Sequence, residues 1–234
     1  MEIYLDHAST SWPKAAGVAE AMAAAVGLAG SARRGGGSGA REGERLAEEL
    51  RRGLAAAVGQ CEPRRVVLTP GATHSIGMGI LGVATAARMR GRVARVVTTH
   101  AEHNAVRRAV LALAERGEIE LVVVAADRWA RVEADAVAAA ATGGGRAADL
   151  VVMASASNVT GASQPVGQVW DSLRHTSTLL MVDASQTAGV SGGPIVGDLV
   201  AFGAHKRFRG PAGIGALVIG ERAHPLELGG PTPA

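Results

Sequence analysis

Three features place this sequence in the α/β class, as a mainly parallel seven-stranded sheet between helices. Short β-rich runs alternate with Ala-rich helical stretches. Several of those runs are apolar without alternation, as strands covered on both faces are. A polar, reactive residue closes nearly every run, as at the ligand-binding edge of an open α/β sheet.

The elements follow in chain order. Strands are predicted over 65–69, 93–99, 121–125, 150–154, 179–183, 199–203 and 215–219. Helices are predicted near 15–29, 41–58, 75–90, 103–116, 132–141 and 167–175. In the second of these, Leu46, Leu50, Leu54 and Val58 recur at i, i+4 and mark one buried face. Loops fall where Gly and Pro cluster, at 35–39, 70–71, 143–145, 192–194 and 229–231.

Composition narrows the function. The 234 residues fit one large domain or two small ones. At 47% hydrophobic the chain can fold, and at 3% aromatic its core is built from Ala, Val, Leu and Ile. The 32 glycines follow no G-x-y period. Of 24 basic residues only Lys14 and Lys206 are lysines. The arginines are scattered through Glu-bearing stretches and read as solvated helix surface. Dense basic blocks with interleaved aromatics are absent, and Arg33 and Arg34 beside a glycine run are the only local candidate, so no nucleic-acid partner is expected. Cys61 stands alone, which excludes an internal disulfide and a multi-cysteine metal site. The N-terminus lacks the apolar stretch of a signal peptide, and no apolar run reaches the ~18 residues of a spanning helix. A cytoplasmic protein without a membrane partner is expected.

The strand ends carry the chemistry. Lys206 follows the strand 199–203 in a sequence that otherwise avoids lysine. Arginine could supply charge there but not a deprotonated amine. A lysine flanked by His205 and Arg207 can lose its proton and form a Schiff base with an aldehyde. Asp183 closes the apolar strand Leu-Leu-Met-Val-Asp, where a carboxylate needs a cation. A protonated pyridine nitrogen would serve as that cation, and a helix N-cap is the simpler role. Thr73 and Ser75 follow Pro70-Gly71 where a helix begins, as phosphate ligands, as N-caps, or as both. His100 and His103 are spaced i, i+3, but two ligands without a third do not make a zinc site, and no metal is expected. A histidine at a helix start can instead stack on a flat ring. Lysine, aspartate, a ring-facing histidine and a phosphate seat together describe a site for pyridoxal 5'-phosphate.

Six segments then show a family resemblance. Tyr4 to Lys14 (YLDHASTSWPK), Thr69 to Ser75 (TPGATHS), Glu102 to Val106 (EHNAV), Ser157 to Gly161 (SNVTG) and Val182 to Gly189 (VDASQTAG) occur in order. His205-Lys206 with Gly210-Pro211 and Gly213-Ile214-Gly215 closes the series. The chain resembles the class V aminotransferase superfamily, in its cysteine-desulfurase-like branch, over nearly its whole length.

The resemblance implies roles. Lys206 would carry the cofactor and shuttle the substrate's Cα proton. Asp183 would pair with the ring nitrogen. His103 would stack on the ring and assist proton transfer. Asn158 and Gln186 would bond the phenolic oxygen. Thr73 and His205 would hold the phosphate, with His74 or Ser75 nearby. It also implies a fold-type I large domain over 1–234, with residues 1–15 as an N-terminal arm, acting as a homodimer. The family's C-terminal small domain, which carries the desulfurases' nucleophilic cysteine and carboxylate-gripping arginine, is expected to be lacking. Cys61, before the first core strand, does not take that cysteine's place. His7 stands where Asn is usual, Gly79 near a site often Asn, and Ser38 near a usual histidine.

The expected function is that of a pyridoxal-phosphate enzyme on a small amino acid such as L-cysteine, by desulfuration, transamination or, as a lyase, β-elimination. The sulfur acceptor would be another protein's thiol. Two alternatives stay open: a shortened paralogue that binds cofactor with impaired catalysis, and one half of a split enzyme completed by a C-terminal partner chain.

Overall fold

The computed structural model describes residues 3–28, 32, 34–59, 62–190 and 192–223. Cys61, Arg33 and the 229–231 turn lie outside the described residues.

Seven strands form one sheet: β1 (Val66–Thr69), β2 (Ala94–Thr99), β3 (Ile119–Val124), β4 (Leu150–Ala154), β5 (Leu179–Asp183), β6 (Leu199–Gly203) and β7 (Gly215–Ile219). Their spatial order is β1-β7-β6-β5-β4-β2-β3. From β3 to β6 all neighbours run parallel. β7 is antiparallel to both β6 and β1. Six strands therefore point the same way, and their carboxyl ends share one edge with the start of β7.

Among the described residues there are six α-helices, α1 (Val18–Val26), α2 (Ser38–Val58), α3 (Ala72–Met89), α4 (Asn104–Glu115), α5 (Ala134–Thr142) and α6 (Val166–Leu173), of which α2 to α6 pack on the sheet. The pleat sends successive strand residues to opposite layers. Val97, Val151, Leu180 and Val182 pack with α2, α5 and α6. Val96, Leu150, Val152 and Met181 pack with α3 and α4. β2, β4 and β6 are buried along their whole length; β4 and β6 accordingly read as unbroken apolar runs, whereas β2 buries Arg95, Thr98 and Thr99 as well.

Where element ends differ from expectation, the causes are local. Pro63 opens a 3-10 turn, Pro63–Arg65, so β1 begins one residue late. β3 begins at Ile119 because it is an edge strand, paired only with β2, and tolerates the exposed Glu120 that interrupts its apolar pattern. α1 is shorter than 15–29, bounded by Gly17 (φ 82°) and Gly27, and buries none of its residues. In α2 the predicted face is buried only toward its end. Leu54 and Val58 enter the core, whereas Leu46 and Leu50 are 37% and 39% exposed. Spacing alone therefore overstated the buried stripe.

Residues 3–17 precede α1 and cross the strand ends. Ser11 N–H donates to His205 O (2.9 Å) and Ala15 N–H to Arg209 O (2.9 Å), fastening this arm to the loop after β6.

Candidate active site

β1 carries Thr69 to the sheet edge, and Pro70-Gly71 turns the chain into α3. Gly71 offers no capping side chain. The N–H groups of the first helical turn have no carbonyl ahead of them within the helix. The next residues split between two directions. Thr73 and His74 face outward, whereas Ser75 is fully buried. Its Oγ lies 2.8 Å from Thr69 Oγ1, so Ser75 braces the turn and does not sit in the phosphate seat expected of it. Glycines let the neighbouring strands close on this turn. A Cβ on Gly215 would lie 2.6 Å from the Gly71 backbone, and one on Gly203 would lie 3.3 Å from the His205 ring.

At this edge a cavity of about 550 Å³ is lined by Thr73, His74, His103, Asn158, Asp183, His205 and Lys206. A smaller pocket adjoins it, lined by His103, Asn158, Asp183, Gln186 and Lys206. The structure thus brings all eight expected site residues to one place, from five separate stretches of chain. His100 is exposed and lines neither space.

Each side chain is held by its element. Asp183 ends β5 and is buried, and its Oδ1 accepts from Ser185 N–H at 3.0 Å. No ion pair joins it to a cation among the described residues. Lys206 is half-buried, and burial pushes its amine below the usual lysine range, with the Asp183 charge pulling the other way. Burial, then Lys206 and Lys14, likewise lowers His205. The His205 carbonyl accepts from Thr10 Oγ1 (3.0 Å) and Lys14 Nζ (3.3 Å). His103 is the N-cap of α4, and its Nδ1 accepts from Ala105 N–H at 3.1 Å. That bond leaves Nε2 as the proton-bearing nitrogen of the neutral ring. Asn158 is exposed on the loop after β4, where Ser157 Oγ accepts from the N–H groups of Val159 and Thr160. Gln186 Nε2 donates to Ala8 O at 3.0 Å, so one amide proton serves the arm.

The sequence reading passed over two contributions. Asp6, Ala8 and Ser9 of the arm line the cavity rim. Only their place in a quoted motif signalled them. Glu102, next to His103, is buried. Its polarity gave no hint of that, because a carboxyl in a loop beyond a strand reads as solvated.

The sheet and this polar edge define an α/β protein built around a lysine–aspartate pair and an anion cradle. The chain belongs to the aminotransferase class-V family, whose model matches residues 3–233. It is 32% identical over 238 residues to cysteine desulfurase IscS of Dictyoglomus turgidum, covering 98% of this chain and 57% of that protein. It is 30% identical over 225 residues to cysteine desulfurase IscS of Salmonella paratyphi B, covering 94% and 54%. Among solved structures, the apo cysteine desulfurase of Thermococcus onnurineus NA1 aligns with a TM-score of 0.80 at 26% identity, over 94% of this chain and 54% of that one. DndA from Streptomyces lividans aligns with a TM-score of 0.73 at 32% identity, over 93% and 59%. The chain spans about half the length of the curated relatives it matches. Class V aminotransferases and cysteine desulfurases are enzymes that use pyridoxal 5'-phosphate.

The residues present fit that group. Asp183 is a buried carboxylate without a fixed cation, an arrangement that a protonated ring nitrogen would complete. The uncapped start of α3 with the Thr73 hydroxyl offers donors to a phosphate. The cavity is within the usual range for a small ligand, about 300–1,000 Å³.

Proposed function

We propose that this chain is the cofactor-carrying unit of a pyridoxal-phosphate enzyme acting on a small amino acid such as L-cysteine. The observation that carries the reading is that Lys206, Asp183, His103 and the start of α3 line one cavity. Pyridoxal phosphate, when bound, supplies an aldehyde for amines and a cationic ring that withdraws electrons from the substrate's Cα.

The chain's own groups divide the remaining work. The Lys206 amine, eased toward its neutral form by burial, would hold the cofactor through its aldehyde and would take the Cα proton on Nζ. Asp183 would hold the ring nitrogen and favour its protonated form. His103, its orientation fixed through Nδ1, would hold the ring by stacking on it. Thr73, His74, His205 and the first-turn N–H groups of α3 receive the phosphate. Asn158 and the second Gln186 amide proton would hold the phenolic oxygen. We read 1–234 as a single unit, with residues 1–15 as an arm whose Asp6 and Ser9 narrow the entrance.

With L-cysteine and an acceptor thiol, the balanced products are alanine and a persulfide. Cys61, the chain's one cysteine, lies outside the described residues, and the acceptor is assigned to another molecule. Exposed Ile3, Leu5, Trp12 and Val159 support a homodimer. No helix among the described residues is long and apolar enough to cross a membrane, in keeping with a cytoplasmic setting.

The test uses the full chain with pyridoxal phosphate, reduced with borohydride and digested for mass spectrometry. A stable adduct on Lys206 is expected. Its absence there, with cofactor present in excess, overturns the reading. Incubation with L-cysteine and a small thiol then separates the reactions. Alanine with sulfide marks desulfuration and pyruvate marks elimination. Neither product, from a chain that carries the adduct, marks cofactor binding without turnover by this chain alone.

A further inference from the structure

Glu102 follows β2 directly before His103, and it is 7% exposed. Its Oε1 accepts the Thr99 hydroxyl at 2.6 Å. Thr99 Oγ1 in turn accepts Ala101 N–H at 3.1 Å, so a short relay runs from Ala101 through Thr99 to Glu102. Its Oε2 is buried and has no hydrogen-bond partner. No Lys, Arg or His reaches it as an ion pair among the described residues.

An ionised carboxylate has about four acceptor sites to satisfy, and this one would satisfy a single site. It would also place a second negative charge near Asp183. A protonated acid leaves only one O–H unpaired, which costs far less than a bare charge. We propose that Glu102 is a positioning residue of this site that works as an uncharged acid: it fastens the loop behind His103 and leaves Asp183 as the one buried negative charge at the cavity floor. The proposal rests on the functional reading above and assigns this carboxyl a part in it.

The groups facing Glu102 are few. Asp183 from β5 is the titratable one, with Thr99 from β2 and the Ala154 backbone N–H from β4. His100 and His103 flank it in the chain. Burial pushes the acid up to about 8, and Asp183 adds to the shift. Thr99 and Ala154 oppose it, the Ala154 N–H without reaching hydrogen-bond geometry to Oε2. An ionised Glu102 would set a second like charge against Asp183 at the cavity, where the ring nitrogen needs a single counter-charge.

The test is a pH titration of the full chain without cofactor. The Glu102 carboxyl carbon, followed by NMR in the unaltered chain, is expected to titrate near pH 8; titration near 4.5 overturns the proposal. Folding stability is read alongside. The folded acid holds its proton above the unfolded value of 4.5. Its contribution is therefore complete below pH 4.5 and is lost as pH rises toward 8. Relative to Glu102→Gln, the wild-type folding constant should fall by nearly tenfold per pH unit across that window. Parallel curves overturn the proposal. The His103 ring signals should show an inflection near pH 8 that Glu102→Gln removes, a change that a merely structural carboxyl would not produce. An inflection that survives in the variant counts against Glu102. A missing Lys206 adduct counts against the functional reading alone, since these titrations use no cofactor.

Discussion

At the scale of single residues, the site depends on groups whose ordinary chemistry burial has altered. Lys206 is half-buried beside Asp183, and its lowered proton affinity keeps more of the free amine at a given pH. Capture of the cofactor's aldehyde should therefore extend to lower pH than for a solvated lysine. A borohydride-trapping series across pH checks this. Lys206→Arg keeps a cation but cannot offer a neutral amine, so it should yield no adduct at any pH. Asp183→Asn keeps an acceptor for Ser185 N–H but removes the charge. It should slow Cα hydrogen exchange of bound amino acid by about 100-fold or more while the fold persists, measured as deuterium uptake. Lys206 was legible from the sequence because lysine is so rare in it. Glu102 was not, because nothing local to Glu-His-Asn shows that a sheet will close over the carboxyl.

At the scale of elements, the cradle depends on how closely β7 and β6 approach the turn before α3. Gly215 permits that approach, since a Cβ there would lie 2.6 Å from the Gly71 backbone, which cannot swing aside as a side chain would. Gly215→Ala should cost about 1–3 kcal/mol in urea unfolding and weaken phosphate binding more than it weakens the fold. α2 offers a contrast along one helix. Leu54→Ala removes buried packing and should cost about 2–5 kcal/mol. Leu46→Ser lies on the half-exposed end and should stay within about 0.5 kcal/mol, by the same measurement. Helical spacing gives both leucines the same rank. Only the packing around them in the folded chain separates the two.

At the scale of the whole molecule, one sheet with two apolar layers holds the five polar loops in register. Phe202 is the fourth of the five residues of β6 and is nearly fully buried. Phe202→Ala should cost about 3–5 kcal/mol and lower cofactor occupancy together with stability, seen as coupled losses of unfolding midpoint and visible absorbance. The sequence by itself determined the α/β class, the seven strands to within a few residues, and the polar set at their ends. Unbroken apolar runs, helical periodicity and strand-terminal polar residues are local signals that survive without neighbours. Only the tertiary structure decided the strand order and the reversed direction of β7. It also turned Ser75 inward, left Leu46 exposed and buried Glu102. Each of those depends on which distant segment covers a residue, and burial, not residue type, sets how a side chain packs or holds its proton.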